Sequence, residues 1–183
     1  MMRFKFNLDK TVQAIDFVAQ HKPGITQYYI GKILFFADRE HVLDYGRPIT
    51  GDKYVAMEHG PVPSATRDLL RVDSGYPDEM IDRFHERLRI KHQDNKQHVF
   101  SKGHDKFPAL SGTDKEYLLS SLQRYGSMSF GTLREISHED PAYADAWDRP
   151  GNANEMDVSL WLDQLDEPEL AKSQLQERVG CVA

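Results

Sequence analysis

Residues 47–63 read RPITGDKYVAMEHGPVP, and this stretch constrains the fold more than any other part of the chain. Pro48, Pro61 and Pro63 cannot sit in a helix interior, because each lacks an amide donor and its ring blocks the preceding turn. Gly51 and Gly60 open backbone conformations that other residues resist. No helix can run through the segment, although a short extended piece around residues 54–58 fits it. The elements on either side must therefore be separate, joined by a stiff, turn-rich connection.

What precedes it is helical. Asn7 or Asp9 is placed to cap a first helix in which Val12, Ile15, Val18 and Ala19 recur at helical spacing, and Pro23-Gly24 ends it. Thr26 caps a second helix with Ile30, Ile33, Leu34 and Ala37 on one face, ending at Gly46. Beyond the turn-rich stretch, Pro63 or Ser64 opens a third helix to about Val72. A loop at 73–77 and a fourth helix at 78–87 follow. From Leu88 to Lys102 the period drops to two and Asp94-Asn95 marks a turn, so a hairpin is expected.

The remaining third is helical again. Thr113 and Glu116 pair as a capping box for a helix that Gly126 ends. Ser127 or Ser129 begins the next, burying Phe130, Leu133 and Ile136. Pro141 opens a short helix to Trp147, and Asp157 starts another that buries Val158, Trp161, Leu162 and Leu165. The expectation is a mainly α, compact single-domain helical bundle over residues 1–166, with a small β-hairpin and winged-helix-like elements. Residues 167–183 read as a polar C-terminal tail.

Charge narrows the function classes. Lys and Arg total 23 against 29 Asp and Glu, a net of -6, which argues against nucleic-acid binding by general phosphate attraction. The acidity is local, since residues 135–183 hold 12 acidic and 3 basic side chains. The single cysteine, Cys181, fits a reducing cytoplasm. No apolar run approaches the ~20 residues of a membrane span, and the first residues lack a signal-peptide core. A cytoplasmic location is expected.

Site chemistry is sparse. His85, His92, His98 and His104 are spaced by seven, six and six residues, too far apart for the usual ligand pairs, and no H-E-x-x-H or C-x-x-C occurs. No metal or other cofactor is expected. His138-Glu139-Asp140 and the pair Glu58-His59 could do acid–base work in a small hydrolase, but capping of the Pro141 helix explains the first cluster. No nucleophile motif accompanies either, so no catalytic residue is assigned and the chain reads as a non-enzyme. The first two helices and the later hairpin also resemble a helix-turn-helix with a wing, the signature of a DNA-binding transcriptional regulator. Gln27, Tyr28, Lys32 and Arg39 could then face a groove, but Asp38, Glu40 and Asp44 on the same helix oppose it.

Residues 34–63 resemble the SocA-like, or Panacea, antitoxin domain. Phe36-Ala37-Asp38 leads to Gly46-Arg47-Pro48-Ile49-Thr50-Gly51-Asp52, then Tyr54 and Ala56, then Gly60-Pro61-Val62. Ile136-Ser137-His138-Glu139 and Trp147 form a second, shorter match, so the resemblance spans roughly residues 10–148. It implies an antitoxin of a bacterial or phage toxin–antitoxin module, neutralising a cognate protein toxin encoded next to it by direct binding. One branch of the family is linked to delivery of its toxin to a ClpXP-type protease. The family brings no catalytic residues. On this reading Asp38, Arg47, Asp52, Tyr54, Glu58 and His59 are the candidate partner-binding residues, with Tyr54 and His59 as anchors. Prolines that stiffen the segment lower the ordering cost of binding. The same glycines and prolines also suit a turn that merely joins two helices.

Overall fold

The computed structural model describes residues 2–71 and 77–180. Helix α1 (Leu8–His21) starts where Asn7 accepts a hydrogen bond from the Lys10 amide at 3.0 Å. Its Ile15, Val18 and Ala19 are fully buried. After the two-residue strand β1 (Ile25–Thr26) comes α2 (Gln27–Tyr45), which Gly46 closes in the left-handed region at φ +65°. Helix α2 is apolar on nearly every side, with Ile30, Ile33, Leu34, Phe35 and Phe36 no more than 1% exposed. A helix of that kind belongs at the centre of a domain. Phe36 stacks on Tyr125 of α5 (Gly112–Tyr125), and Phe35 meets Tyr54 and Trp161 edge-on.

The turn-rich stretch folds back on itself as a tight antiparallel hairpin. Strands β2 (Tyr54–Met57) and β3 (Gly60–Pro63) pair through the Glu58-His59 turn. β3 is an edge strand, the place where Pro61 and Pro63 cost no ladder hydrogen bond. On the other side β2 pairs with the short β6 (Asn154–Glu155), which ties the segment to the end of the chain.

Helices α3 (Ser64–Arg71) and α4 (Asp78–Arg87) lead to the hairpin of β4 (Leu88–Gln93) and β5 (Lys96–Ser101). Asp94 and Asn95 both take positive φ at its tip, as a two-residue type I′ turn requires. β1 joins β5, giving a three-stranded antiparallel sheet in the order β1-β5-β4. The hairpin is where the period-two pattern placed it.

Several details differ from the sequence-based expectation. The capping box of α5 is Ser111 with Asp114, not Thr113 with Glu116. Ser111 supplies the accepting hydroxyl two residues earlier, and Asp114 in return accepts from the Ser111 amide at 2.9 Å. Helix α6 (Phe130–His138) begins after Ser129 and buries Leu133, while Ile136 is only partly buried. Phe130 is 46% exposed instead of buried, because it opens the helix at the surface. Pro141 starts α7 (Pro141–Asp148), and the segment capped by Asp157 is a 3-10 helix over Val158–Gln164. Within the expected tail, Pro168–Gly180 form α8, and its Leu175 joins the core. The expected end of α3 at Val72, most of the 73–77 loop and Cys181 lie outside the described residues. Among those described, no helix is long and apolar enough to cross a membrane.

Candidate partner-binding site

Half of the candidate residues point inward. Asp38, fully buried on α2, accepts from the amides of Ile49 (2.8 Å) and Thr50 (3.1 Å), from the Thr50 hydroxyl, and from the Tyr54 hydroxyl (2.8 Å). Burial pushes its carboxyl up to about 6 against the pull of those four donors. Asp52 caps α3 from outside the helix, accepting from the amides of Ala65 (2.9 Å) and Thr66 (2.8 Å) and from the Thr66 hydroxyl (2.8 Å). Burial raises its pKa above the usual carboxylate range. Asp38, Asp52 and Tyr54 are 0, 7 and 2% exposed, so they fix the loop and offer a partner no surface. Tyr54, read from the sequence as an anchor, is instead a rivet of the core.

Arg47 sits at the edge, 43% exposed, with Nη1 3.0 Å from the buried Asp114. Lys10 meets the other Asp114 oxygen at 2.7 Å, and His41 Nε2 lies 3.4 Å away. Burial pushes the Asp114 carboxyl up, but hydrogen bonds from Lys10 and Ser111 and the charges of Lys10 and Arg47 more than offset it, holding it at about 2.

Glu58 and His59 form the exposed tip of the β2–β3 hairpin. Arg134 of α6 donates to the Glu58 carbonyl at 3.2 Å and pins the tip from behind. The His59 ring lies edge-on to Phe130 at 5.2 Å, and Phe130 leans on Tyr28 at 4.7 Å. His138 stacks on Tyr143 at 4.4 Å, which in turn stacks on Trp147 at 5.9 Å. Phe130 and Trp147 are 46% and 48% exposed, so two large aromatic side chains stand out beside the hairpin. Exposed aromatics over a rigid base are the usual material of interface hot spots.

A pocket of about 370 Å³ opens next to this tip, between α2, β3 and α3. Lys32 lines it yet is only 1% exposed. Its ammonium donates to the Pro61 carbonyl at 3.1 Å and lies 5.4 Å from the Tyr28 ring. Burial lowers its pKa to about 7. Gly60, at φ +97°, makes the arrangement possible: a Cβ there would collide with Lys32 Nζ and Ser137 Oγ. His138 Nε2 is buried with no hydrogen-bond partner among the described residues. Burial, followed by the charges of Arg134 and Lys32, lowers its pKa.

The sequence pointed to His59 and Glu58 but missed the pocket. One signal was available: a lone lysine inside the apolar run from Ile30 to Phe36, on a helix with no polar side to carry it. Reading Lys32 as a groove-facing cation placed it on the wrong side of the helix. The other residues considered for base contact are also occupied within the fold. Arg39 Nε lies 3.4 Å from Asp140, and Gln27 donates to the Arg67 carbonyl at 3.4 Å. Ser137, beside His138, is buried and donates to the Arg134 carbonyl at 2.9 Å. Among the described residues no group of His, Cys, Asp and Glu is arranged to hold a metal ion.

Fold and site together define a mainly helical domain that displays a clamped β-hairpin beside exposed aromatics and a lysine-lined pocket. The chain belongs to the antitoxin SocA-like, Panacea domain family, whose model matches residues 30–144. That range contains Lys32, the Arg47–Pro63 segment, Phe130 and His138. No curated protein and no solved structure matches the chain.

Proposed function

We propose that this protein is an antitoxin that neutralises a protein toxin by direct, non-catalytic binding through the face around Glu58, His59, Phe130 and Trp147. The family match over residues 30–144 carries the reading. The geometry supports a location for it: a rigid hairpin tip flanked by two exposed aromatics loses little freedom on docking.

Co-expression with the product of the adjacent open reading frame tests the proposal. That product is expected to arrest growth alone, to be harmless with this chain, and to co-purify with it. A neighbour that is harmless alone, or toxic regardless of this chain, refutes the reading. In a neutralising pair, Phe130→Ala and Trp147→Ala are expected to weaken binding by about tenfold or more each, at an unchanged unfolding midpoint. Neutralisation that disappears in cells lacking a ClpXP-type protease identifies delivery to that protease as the route. Neutralisation that persists there identifies masking.

A further inference from the structure

Lys32 is a buried cation with too few partners. An ammonium has three donors, and the Pro61 carbonyl takes one of them. Among the described residues no carboxylate lies within ion-pair distance of it, and its side chain lines the pocket. The titratable and charged groups that line the pocket with it are Tyr28 from its own helix, Glu58 and His59 from the hairpin and Arg67 and Arg71 from α3. His138 of α6 is close enough for the charge of Lys32 to act on it. Among the described lining residues Glu58 is the one acid, and it is exposed at the tip.

We propose that this pocket receives a carboxylate side chain, of glutamate size, from the partner protein, and that Lys32 is the group that recognises it. The inference rests on the antitoxin reading for the identity of the partner. The surroundings select a side chain over other anions. Pro61 and Pro63 carry no amide hydrogen, and the amides of Ala65 and Thr66 at the start of α3 are already taken by Asp52. The backbone array that holds a chain terminus or a phosphate is therefore missing. The walls include Tyr28, Met57, Val62 and Leu70, apolar surface suited to the methylenes of a glutamate stem. One ammonium balances one monoanion. When the carboxylate enters, it accepts the donors that Lys32 leaves open, and a costly buried charge becomes a buried ion pair.

The test uses the full chain and the toxic neighbour that it neutralises, with affinity measured from about pH 6 to about pH 9. Lys32→Met is expected to weaken binding by roughly ten- to a hundredfold, the scale of a charge-assisted hydrogen bond. Lys32→Gln, which can still donate to Pro61, serves if the methionine variant does not fold. The wild-type affinity is expected to fall by up to about tenfold per unit above pH 7, since the free amine must take up a proton to bind. The variants are expected to lose that slope. One Glu→Gln or Asp→Asn change in the neighbour is expected to reproduce the loss, with nothing added in the double mutant. If wild type binds but Lys32→Met and Lys32→Gln keep its affinity and pH profile, the pocket assignment is overturned and the antitoxin reading stands. Loss traced only to the neighbour's terminal carboxylate, or to a phosphate, also overturns it. If the neighbour does not bind at all, the antitoxin reading fails. The pocket is then decided by N-acetylglutamate: a shift of the Lys32 side-chain resonances, absent in Lys32→Met, supports carboxylate recognition, and no shift ends it.

Discussion

Helix α2 buries two charges six residues apart and treats them in opposite ways. Asp38 is met by four donors, two amides and two hydroxyls, all within the loop that it organises. Lys32 is met by one carbonyl and lines a pocket. Both pay desolvation, and both pKa values move toward neutrality as a result. The difference lies in the number of partners. A buried charge whose hydrogen-bonding capacity is filled from within is part of the scaffold. One left partly unfilled beside a cavity is where a ligand has something to gain.

The sharpest break of this comparison is on the filled side. Asp38→Ala strands the amides of Ile49 and Thr50 and two hydroxyls, and is expected to cost about 3–5 kcal/mol, since each buried unsatisfied group costs ~1–3 kcal/mol. Asp38→Asn behaves differently. Its carbonyl can accept from both amides, and its amide can donate to the Thr50 and Tyr54 hydroxyls once these rotate. It is expected to fold with nearly wild-type stability. It also removes a pH dependence: with a folded-state pKa of about 6 against an ordinary 3.8, Asp38 stabilises below the ordinary value and loses that contribution as pH rises through 6. Chemical denaturation of the three proteins across this range checks both points. Equal loss in Asp38→Ala and Asp38→Asn would show that the charge, not the bond count, closes the loop.

The contrast between the two charges was only partly legible in the sequence. Local features were readable, because their causes lie within a few residues. Asn7 before α1, Asp94-Asn95 in the hairpin and Pro141 at the start of α7 act on their neighbours. Asp38 stood out in its motif, but its role depends on Ile49, Thr50 and Tyr54, which come to it only when the chain turns back. Lys32 meets Pro61 across 29 residues, and no local pattern announces that. Phe130 followed a helical period that predicts burial, yet a first-turn residue at the surface escapes its stripe. Leu175 was hidden by the polar residues around it. The α5 cap shifted by two residues because Thr113 with Glu116 and Ser111 with Asp114 satisfy the same spacing rule.

A smaller effect comes from the unfilled side. Lys32 has a folded-state pKa of about 7 and an ordinary value of 10.5. Its folding contribution is therefore fully present above the ordinary value and lost as pH falls through 7, so the protein gains stability as pH rises between these limits. The gain has a ceiling of ~1.4 kcal/mol per pH unit, and about 2 kcal/mol is expected between about pH 7 and about pH 9. Lys32→Met should abolish the slope and match or exceed the wild-type unfolding midpoint near pH 7, because it removes an under-satisfied buried charge. A methionine variant that is several kcal/mol less stable at neutral pH would place Lys32 with Asp38 as scaffold. Asp38 and Lys32 thus oppose each other in pH, the first losing stability into pH 6 and the second regaining it above pH 7.

Asp114 supplies the third case and the smallest effect. Like Asp38 it is buried and filled, but two of its partners are cations, and one of them, Arg47, stands 43% exposed at the rim. An exposed partner is screened and replaceable, so Arg47→Ala is expected to cost under about 1 kcal/mol. Lys10 remains at 2.7 Å and the Ser111 amide at 2.9 Å, which keeps Asp114 from becoming an unpaired buried charge. The loss should appear in acid. Asp114 is held at about 2, so its contribution is present above the ordinary 3.8 and lost as pH falls through 2. Removing Arg47 raises the folded-state value toward the ordinary one, and acid unfolding should begin at a higher pH. Lys10→Ala should show the same shift and a larger loss, since its side chain is only 20% exposed. If Arg47→Ala cost as much as Asp38→Ala, the rim arginine would belong to the scaffold. A small loss leaves its guanidinium able to trade Asp114 for a partner's acid at little cost to the fold.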